Sequence, residues 1–136
     1  MALRNAFRVN ADIGVFLKYS STPKGRGKEY QFTFTAEHLA QLDVLASKVA
    51  SVFVALVCVK DRQICCLSLG HLHELVTRRR NRMTRNERQY VLLVTIPQGR
   101  SFRAYVSAPR QKMKTLGELL IVARNEFPAS LFQGHS

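Results

Sequence analysis

The sequence predicts an α+β fold in which two or three helices pack on a mixed, mostly antiparallel sheet of about six strands. Three observations predict it. Several segments alternate apolar and polar residues with a period of two, as half-buried strands do. Two other segments, 52–59 and 90–96, are almost continuously apolar, which is typical of strands buried on both faces. Leucines recur at helical spacing after the paired strand segments, so we expect β-hairpin–helix units within one domain, 1–136.

The first unit extends from Asp12 to Thr35. Its arms, 13–19 and 30–35, alternate apolar and polar residues, and the loop 23–28 between them holds two glycines and three cations. This pattern predicts a β-hairpin with a mobile, positively charged loop. Thr35 carries a hydroxyl that can cap a following helix, and Glu37 would lie favourably in its first turn. Leucines at positions 39, 42 and 45 predict that helix over 36–48.

The second and third units repeat this order. The apolar strand 52–59 is followed by a turn at 60–63, a strand at 64–69 and a helix that begins near Gly70 and runs into the arginine-rich segment 78–88. The strand 90–96 is followed by a turn and an alternating strand at 101–107. After a basic loop at 109–114, the pattern of 116–123 fits a helix or a strand. Phe127-Pro128 would end that element, and Leu131-Phe132 would anchor the tail.

Composition favours a polyanionic partner. The 136 residues include 21 lysines and arginines against nine acids, a formal net charge of +12 with a pI near 10.4. A compact domain this basic attracts DNA or RNA. We expect no membrane association, since no apolar run is long enough to span a bilayer and no basic amphipathic helix is evident. We also expect a cytoplasmic protein, because no signal-peptide pattern is present and Cys58, Cys65 and Cys66 look like reduced, buried thiols.

Each unit has its own group of cations, including Arg100 in the third. Arginine can donate two hydrogen bonds to phosphate oxygens, and lysine attracts phosphate as a point charge. Several contacts of this kind supply affinity that does not depend on nucleotide sequence. Tyr19 and Tyr105 are the aromatic residues that we expect to be exposed for base stacking. The candidate nucleic-acid-binding residues are Lys24, Arg26, Lys28, Arg78, Arg79, Arg80, Arg82, Arg85, Arg88, Arg103, Arg110, Lys112 and Lys114.

An acid, a second acid and a lysine on adjacent strands are what metal-dependent phosphodiester hydrolysis requires, and Asp12, Glu29 and Lys18 offer that set. At this point the segment from Asp12 to Val59 resembles the PD-(D/E)xK restriction-endonuclease-like superfamily. The resemblance implies a duplex-gripping scaffold and, in an active member, Mg²⁺. The family has Glu, Asp or Gln two residues before the lysine, whereas this chain has Phe16, which cannot hold a metal. The resemblance therefore implies a lapsed site, unless Glu29 has replaced the missing acid.

Other metal and nucleophile sites are not expected. Adjacent Cys65 and Cys66 on a strand would point to opposite faces, and His71 and His73 would not share a helix face. A Cys–His hydrolase would need an exposed thiol, but the three cysteines lie in apolar runs. Lys18 also fits a plain structural role, as a lysine that blunts an exposed strand edge.

The sequence thus favours a non-catalytic nucleic-acid-binding protein, with DNA preferred over RNA, that grips the phosphate backbone and needs no cofactor. One alternative is an active Mg²⁺-dependent nuclease that uses Asp12, Lys18 and Glu29. Another is a basic protein-interaction subunit of a ribonucleoprotein or defence complex. A homodimer would suit a palindromic duplex site, although no residue pattern demonstrates one.

Overall fold

A computed structural model describes residues 6–83, 87–106, 120–124 and 127–132. These residues form eight strands, two α-helices and one 3-10 helix. In chain order the elements are β1 (Ala6–Arg8), β2 (Ile13–Ser20), β3 (Tyr30–Thr35), α1 (Ala36–Ala46), β4 (Ser51–Cys58), β5 (Gln63–Ser68), α2 (Leu69–Arg82), β6 (Gln89–Thr95), β7 (Phe102–Val106), β8 (Leu120–Val122) and the 3-10 helix Ala129–Phe132. The α+β class is therefore confirmed, with more strands than expected.

The strands form two sheets of four. The first sheet has the order β1-β2-β4-β5, in which β2 and β4 are parallel and the other pairs are antiparallel. The second sheet, β3-β6-β7-β8, is antiparallel throughout. Most pairings are thus antiparallel, as the sequence predicts. The single mixed sheet that we expected is instead divided into two.

The first predicted hairpin is wrong in its pairing, because its two arms lie in different sheets. β2 pairs in parallel with β4 over eight residues, and β3 pairs with β6 over six. Only the bridge between Lys24 and Glu29, with N–H···O distances of 2.9 and 3.0 Å, closes the loop between the arms. Period-two alternation predicts which residues share a strand face, but it does not select the neighbouring strand.

The main core lies between the two sheets and the helices. Phe16, Val54 and Leu56 of the first sheet and Phe34 and Leu92 of the second are fully buried in one cluster. The helices complete this core with side chains that the leucine periodicity predicts, namely Leu42, Leu45, Leu72 and Leu75. Both helices have side-chain N-caps, because the backbone N–H of His38 donates to Thr35 and that of His71 to Ser68, each at 3.1 Å.

A second, smaller apolar cluster covers the opposite face of the first sheet. There Ile13, Val15 and Ala55 pack with Leu131 of the 3-10 helix, which is 2% exposed. β4 therefore contributes to both clusters, which explains its nearly continuous apolar sequence. The prediction that Leu131-Phe132 anchors the tail is confirmed for Leu131 and wrong for Phe132, which is 54% exposed. Of the segment 116–123, predicted as a helix or a strand, residues 120–122 form β8. The expected basic loop 109–114 and residues 116–119 lie outside the described residues.

Candidate nucleic-acid interface

One end of the second sheet collects several connections. Tyr30 lies opposite Val94, and Phe102 lies opposite Val122. β3 and β7 therefore start at the end of the sheet where β6 and β8 finish. This end also holds the loop 21–29, the β6–β7 turn 96–101 and Arg124, which lies two residues beyond β8. Four strands about 4.8 Å apart span about 15 Å here.

The β4–β5 turn of the first sheet joins the same end through one tyrosine. The hydroxyl of Tyr30 donates to the Asp61 carboxylate, and the backbone N–H of Asp61 donates back to the Tyr30 hydroxyl at 3.1 Å. The Tyr30 side chain is 1% exposed. Burial, assisted by the negative charge of Asp61, raises the pKa of Tyr30 to about 12. This contact fixes the turn 59–62 against the start of β3.

We call this end of the molecule, with the loop 21–29, the turns 59–62 and 96–101, Arg103 and Arg124, the basic end. Six of its cations are exposed, and two, Arg103 and Arg124, are half-buried. Within the described ranges none of them forms an ion pair. At one phosphate per 3.4 Å of duplex axis on each strand, a 15 Å strip faces about four phosphates of a strand. The cations of the basic end are Lys24, Arg26, Lys28, Lys60, Arg62, Arg100, Arg103 and Arg124.

Only two acids occupy the same described segments, and both are hydrogen-bonded to tyrosines. Asp61 accepts from Tyr30, and Glu29 accepts from the hydroxyl of Tyr105 on β7. Each carboxylate thus ties a basic segment to the sheet: Asp61 holds the β4–β5 turn, and Glu29 holds the loop 21–29 against β7. Among the described residues, the acids at this end therefore position the cations without pairing with them.

The sequence-predicted cations divide between two places. Lys24, Arg26, Lys28 and Arg103 lie together at the basic end, with Arg100. Sequence reasoning missed Lys60, Arg62 and Arg124, because each lies alone or in a short turn and only the strand register brings them beside the others. Arg85, Arg110, Lys112 and Lys114 lie outside the described residues.

The arginine-rich segment lies at the opposite end of the second sheet, where α2 leads into β6. There Arg78 pairs with Glu74 at 2.7 Å, and the Arg79 guanidinium binds both carboxylate oxygens of Glu87 at 2.8 and 3.1 Å. Arg80 stacks 5.5 Å from the Tyr90 ring centroid and donates to its hydroxyl at 3.2 Å. Three of these predicted phosphate ligands therefore have partners within the protein, whereas Arg82 and Arg88 are exposed.

The three candidate catalytic residues are not brought together. Asp12 precedes β2 and Lys18 follows six residues later, so their backbones are about 20 Å apart along an extended strand. Glu29 lies at the basic end with Tyr105. Across the described ranges, no group of three or more His, Cys, Asp or Glu side chains is arranged to hold a metal ion.

Lys18 instead contacts an aromatic cluster. Its Nζ lies 5.6 Å from the ring centroid of Phe34, and Phe34, Phe16 and His38 have centroids 6.0–6.5 Å apart. Burial lowers the pKa of Lys18, and burial together with the lysine charge lowers the pKa of His38. Neutral His38 fits its contact with Thr35, whose backbone N–H donates to Nδ1 at 3.1 Å.

The remaining candidates follow from burial. Burial raises the pKa of the Cys58 thiol to about 12, assisted by the charge of Asp61, and raises that of Cys65 as well. Neither is in a disulfide, and Cys66, also outside any disulfide, is half-buried, so none of the three thiols is fully exposed. Tyr19 is 61% exposed, as expected for a stacking residue. The expectation for Tyr105 is wrong, because it is 7% exposed.

Comparison of the chain with models of protein families, with curated proteins and with solved structures gave no match. No helix among the described residues is long and apolar enough to cross a bilayer. The fold and the site therefore define an α+β domain with two four-stranded sheets and a cationic surface at one end.

Proposed function

We propose that this protein binds nucleic acid, with DNA preferred, by placing the basic end against the sugar–phosphate backbone, and that it does so without catalysis. The observation that carries the proposal is the convergence of eight cations from five chain segments on one end of the molecule. Nothing in the folding of a sheet requires this convergence, since charged turns repel one another and reduce stability. A phosphate ligand would relieve that repulsion.

The pairing of charges supports this end over the arginine-rich segment. Arg78 and Arg79 have carboxylate partners 2.7–3.1 Å away, which a phosphate would have to displace. At the basic end the only described acids accept hydrogen bonds from tyrosines, so the cations can approach a ligand without breaking ion pairs. The preference for DNA rests on the resemblance to a family whose scaffold grips duplexes.

A salt series on a fluorescent 20-base-pair duplex tests the proposal. With about four phosphates contacted, log K should fall with log salt at a slope near −3.6, at about −0.9 per contact. The triple variant Lys24→Gln, Arg26→Gln, Lys28→Gln should bind more weakly and flatten the slope by up to about 2.7. These side chains are exposed and their loop is closed by backbone hydrogen bonds, so the fold should survive.

A matched triple variant, Lys48→Gln, Arg82→Gln, Arg88→Gln, removes the same charge from exposed positions away from the basic end. It should change the slope by less than half as much. An equal loss in both variants would mean that net charge alone drives binding, and absence of duplex binding at low salt would overturn the proposal. Parallel titrations with single-stranded DNA and with RNA duplex test the preference for DNA.

A further inference from the structure

An open depression of about 700 Å³ lies at the β7–β8 side of the basic end. Its volume is within the range of small-molecule sites and exceeds that of a phosphate group alone. Among the residues that the structure describes, the lining has three arginines, one hydroxyl, one exposed apolar side chain and no acid. The lining residues are Gly99, Arg100, Ser101, Arg103, Ile121 and Arg124.

The fold brings the three guanidinium groups from separate segments. Arg100 lies in the β6–β7 turn, where its backbone N–H donates to the Pro97 carbonyl at 3.0 Å. The neighbouring Gly99 has φ +70°, a left-handed conformation that favours glycine. Arg103 lies on β7 opposite Ile121 of β8, and Arg124 follows β8. The convergence thus depends on the turn geometry and on the register of the last two strands.

Arg124 has a buried nitrogen, Nε, without a hydrogen-bond acceptor among the described residues. A buried guanidinium nitrogen without an acceptor is unfavourable, and buried donors in proteins are nearly always paired. A phosphate oxygen in the depression would supply a charge-assisted acceptor for this nitrogen after a change of the Arg124 rotamer that exposes it.

We propose that this depression binds the phosphate monoester of a nucleotide, and specifically the phosphorylated end of a nucleic-acid strand. This inference rests on the proposed function and adds a ligand group to it. A phosphate monoester carries a charge of about −1.5 to −2 at neutral pH and has three strong acceptor oxygens. Three arginines and the Ser101 hydroxyl match that group better than they match an internal phosphodiester, which carries a single charge.

The apolar part of the lining suits the nucleoside. Ile121 is 55% exposed within an otherwise polar surface and lies across from Arg103. A sugar or base attached to the bound phosphate would cover this side chain and remove apolar surface from water. The cations of the basic end outside the depression would then follow the backbone away from the strand end.

The test compares one fluorescent oligonucleotide in three forms: with a 5′-phosphate, with a 3′-phosphate and with hydroxyls at both ends. At least one phosphorylated form should bind about tenfold more tightly than the hydroxyl form, since a charge-assisted hydrogen bond of this kind is worth about that factor. Arg124→Gln should weaken the phosphorylated form more than the hydroxyl form and so reduce the ratio of their affinities to near one. Arg124→Lys, which keeps the charge but loses the fork, should retain only part of the difference.

Arg26→Gln is the matched control, because it removes one exposed cation of the basic end outside the depression. It should weaken all three oligonucleotides alike. A titration with a nucleoside 5′-monophosphate and with inorganic phosphate separates the two sources of the ligand. Tight binding of the free nucleotide that is lost in Arg124→Gln, without any preference among the oligonucleotides, would assign the site to the free nucleotide and overturn the strand-end assignment.

The failures of the two proposals are distinguishable. Equal affinity for phosphorylated and hydroxyl ends, with the steep salt dependence intact, would overturn the end-binding inference and leave the proposed function standing. Failure of every oligonucleotide to bind would overturn the proposed function. An Arg124→Gln variant that weakens all oligonucleotides equally would also overturn the inference, because Arg124 would then act as an ordinary backbone contact.

Discussion

The substitution Tyr30→Phe isolates the contact that joins the two sheets at the basic end. It removes a hydroxyl that donates to the Asp61 carboxylate and accepts from the Asp61 N–H, and it keeps the buried ring. A hydrogen bond to a charged group contributes about 1.5–3 kcal/mol, but the exposed Asp61 can regain water. We therefore expect the free energy of unfolding to fall by about 1–2 kcal/mol at pH 7.5, with an unchanged dependence on urea concentration.

The same substitution has a predictable effect in alkali. The pKa of Tyr30 is raised from 10.0 to about 12 in the folded protein, so the folded state favours the protonated phenol. The associated stability is fully present below pH 10 and is lost as the pH rises toward 12. A shift of two pKa units corresponds to about 3 kcal/mol of wild-type stability lost over that window. In Tyr30→Phe this contribution is absent, while the contribution of the Cys58 thiol remains in both proteins.

Urea unfolding monitored by circular dichroism at pH 7.5, 9, 10.5 and 11.5 measures both effects. Tyr19→Phe is the matched control, because Tyr19 is 61% exposed and its loss should change stability by no more than about 0.5 kcal/mol. The difference between wild type and Tyr30→Phe should shrink as the pH rises above 10 and should vanish or change sign by pH 11.5. A variant as stable as wild type at pH 7.5, or one that loses stability in alkali in parallel with wild type, would refute this account of the Tyr30–Asp61 contact.

Two further outcomes follow from particular contacts. Gly14→Ala should destabilise the protein by about 1–3 kcal/mol in urea unfolding, because an added Cβ would lie 2.8 Å from the Leu45 Cδ1 in the core. Gly70→Ala is its control and should be neutral or stabilising by up to about 1 kcal/mol, since its nearest neighbour is 3.8 Å away in a helix. Lys18→Met should change the free energy of unfolding by no more than about 1 kcal/mol, because the cost of burying the Lys18 ammonium offsets its cation–π attraction to Phe34. It should also leave duplex affinity unchanged. Mg²⁺-dependent DNA cleavage by wild type that disappears in Lys18→Met would contradict this structural role.

Much of the local structure follows from the sequence. The alternation in 13–19 and 30–35, the apolar runs at β4 and β6 and the Thr35 cap correspond to observed elements, because strand faces and helix caps depend on neighbouring residues. β1 was harder to predict. Residues 6–8 are too few to show a period, and β1 exists as a strand because it pairs with 14–16 of β2.

The candidate site was predictable only in part. The loop cations Lys24, Arg26 and Lys28 stand out in the sequence because three charges lie among glycines. The arginine run 78–88 stands out more strongly, yet Arg78 and Arg79 pair with Glu74 and Glu87. The Arg78–Glu74 pair can be predicted from sequence, because residues four apart on a helix are neighbours. The Arg79–Glu87 pair cannot, because these residues are eight apart and Glu87 lies beyond the end of α2.

The sequence by itself determined the α+β class, the positions of most strands and helices and the strongly basic character of this protein. These properties depend on composition and on short-range periodicity, which do not depend on contacts between distant parts of the chain. The tertiary structure decided that β2 and β3 enter different sheets and that Lys60, Arg62 and Arg124 join the loop 21–29. Such relations depend on which strands pair and in which register, and that choice is made by burial of both sheet faces over the whole chain.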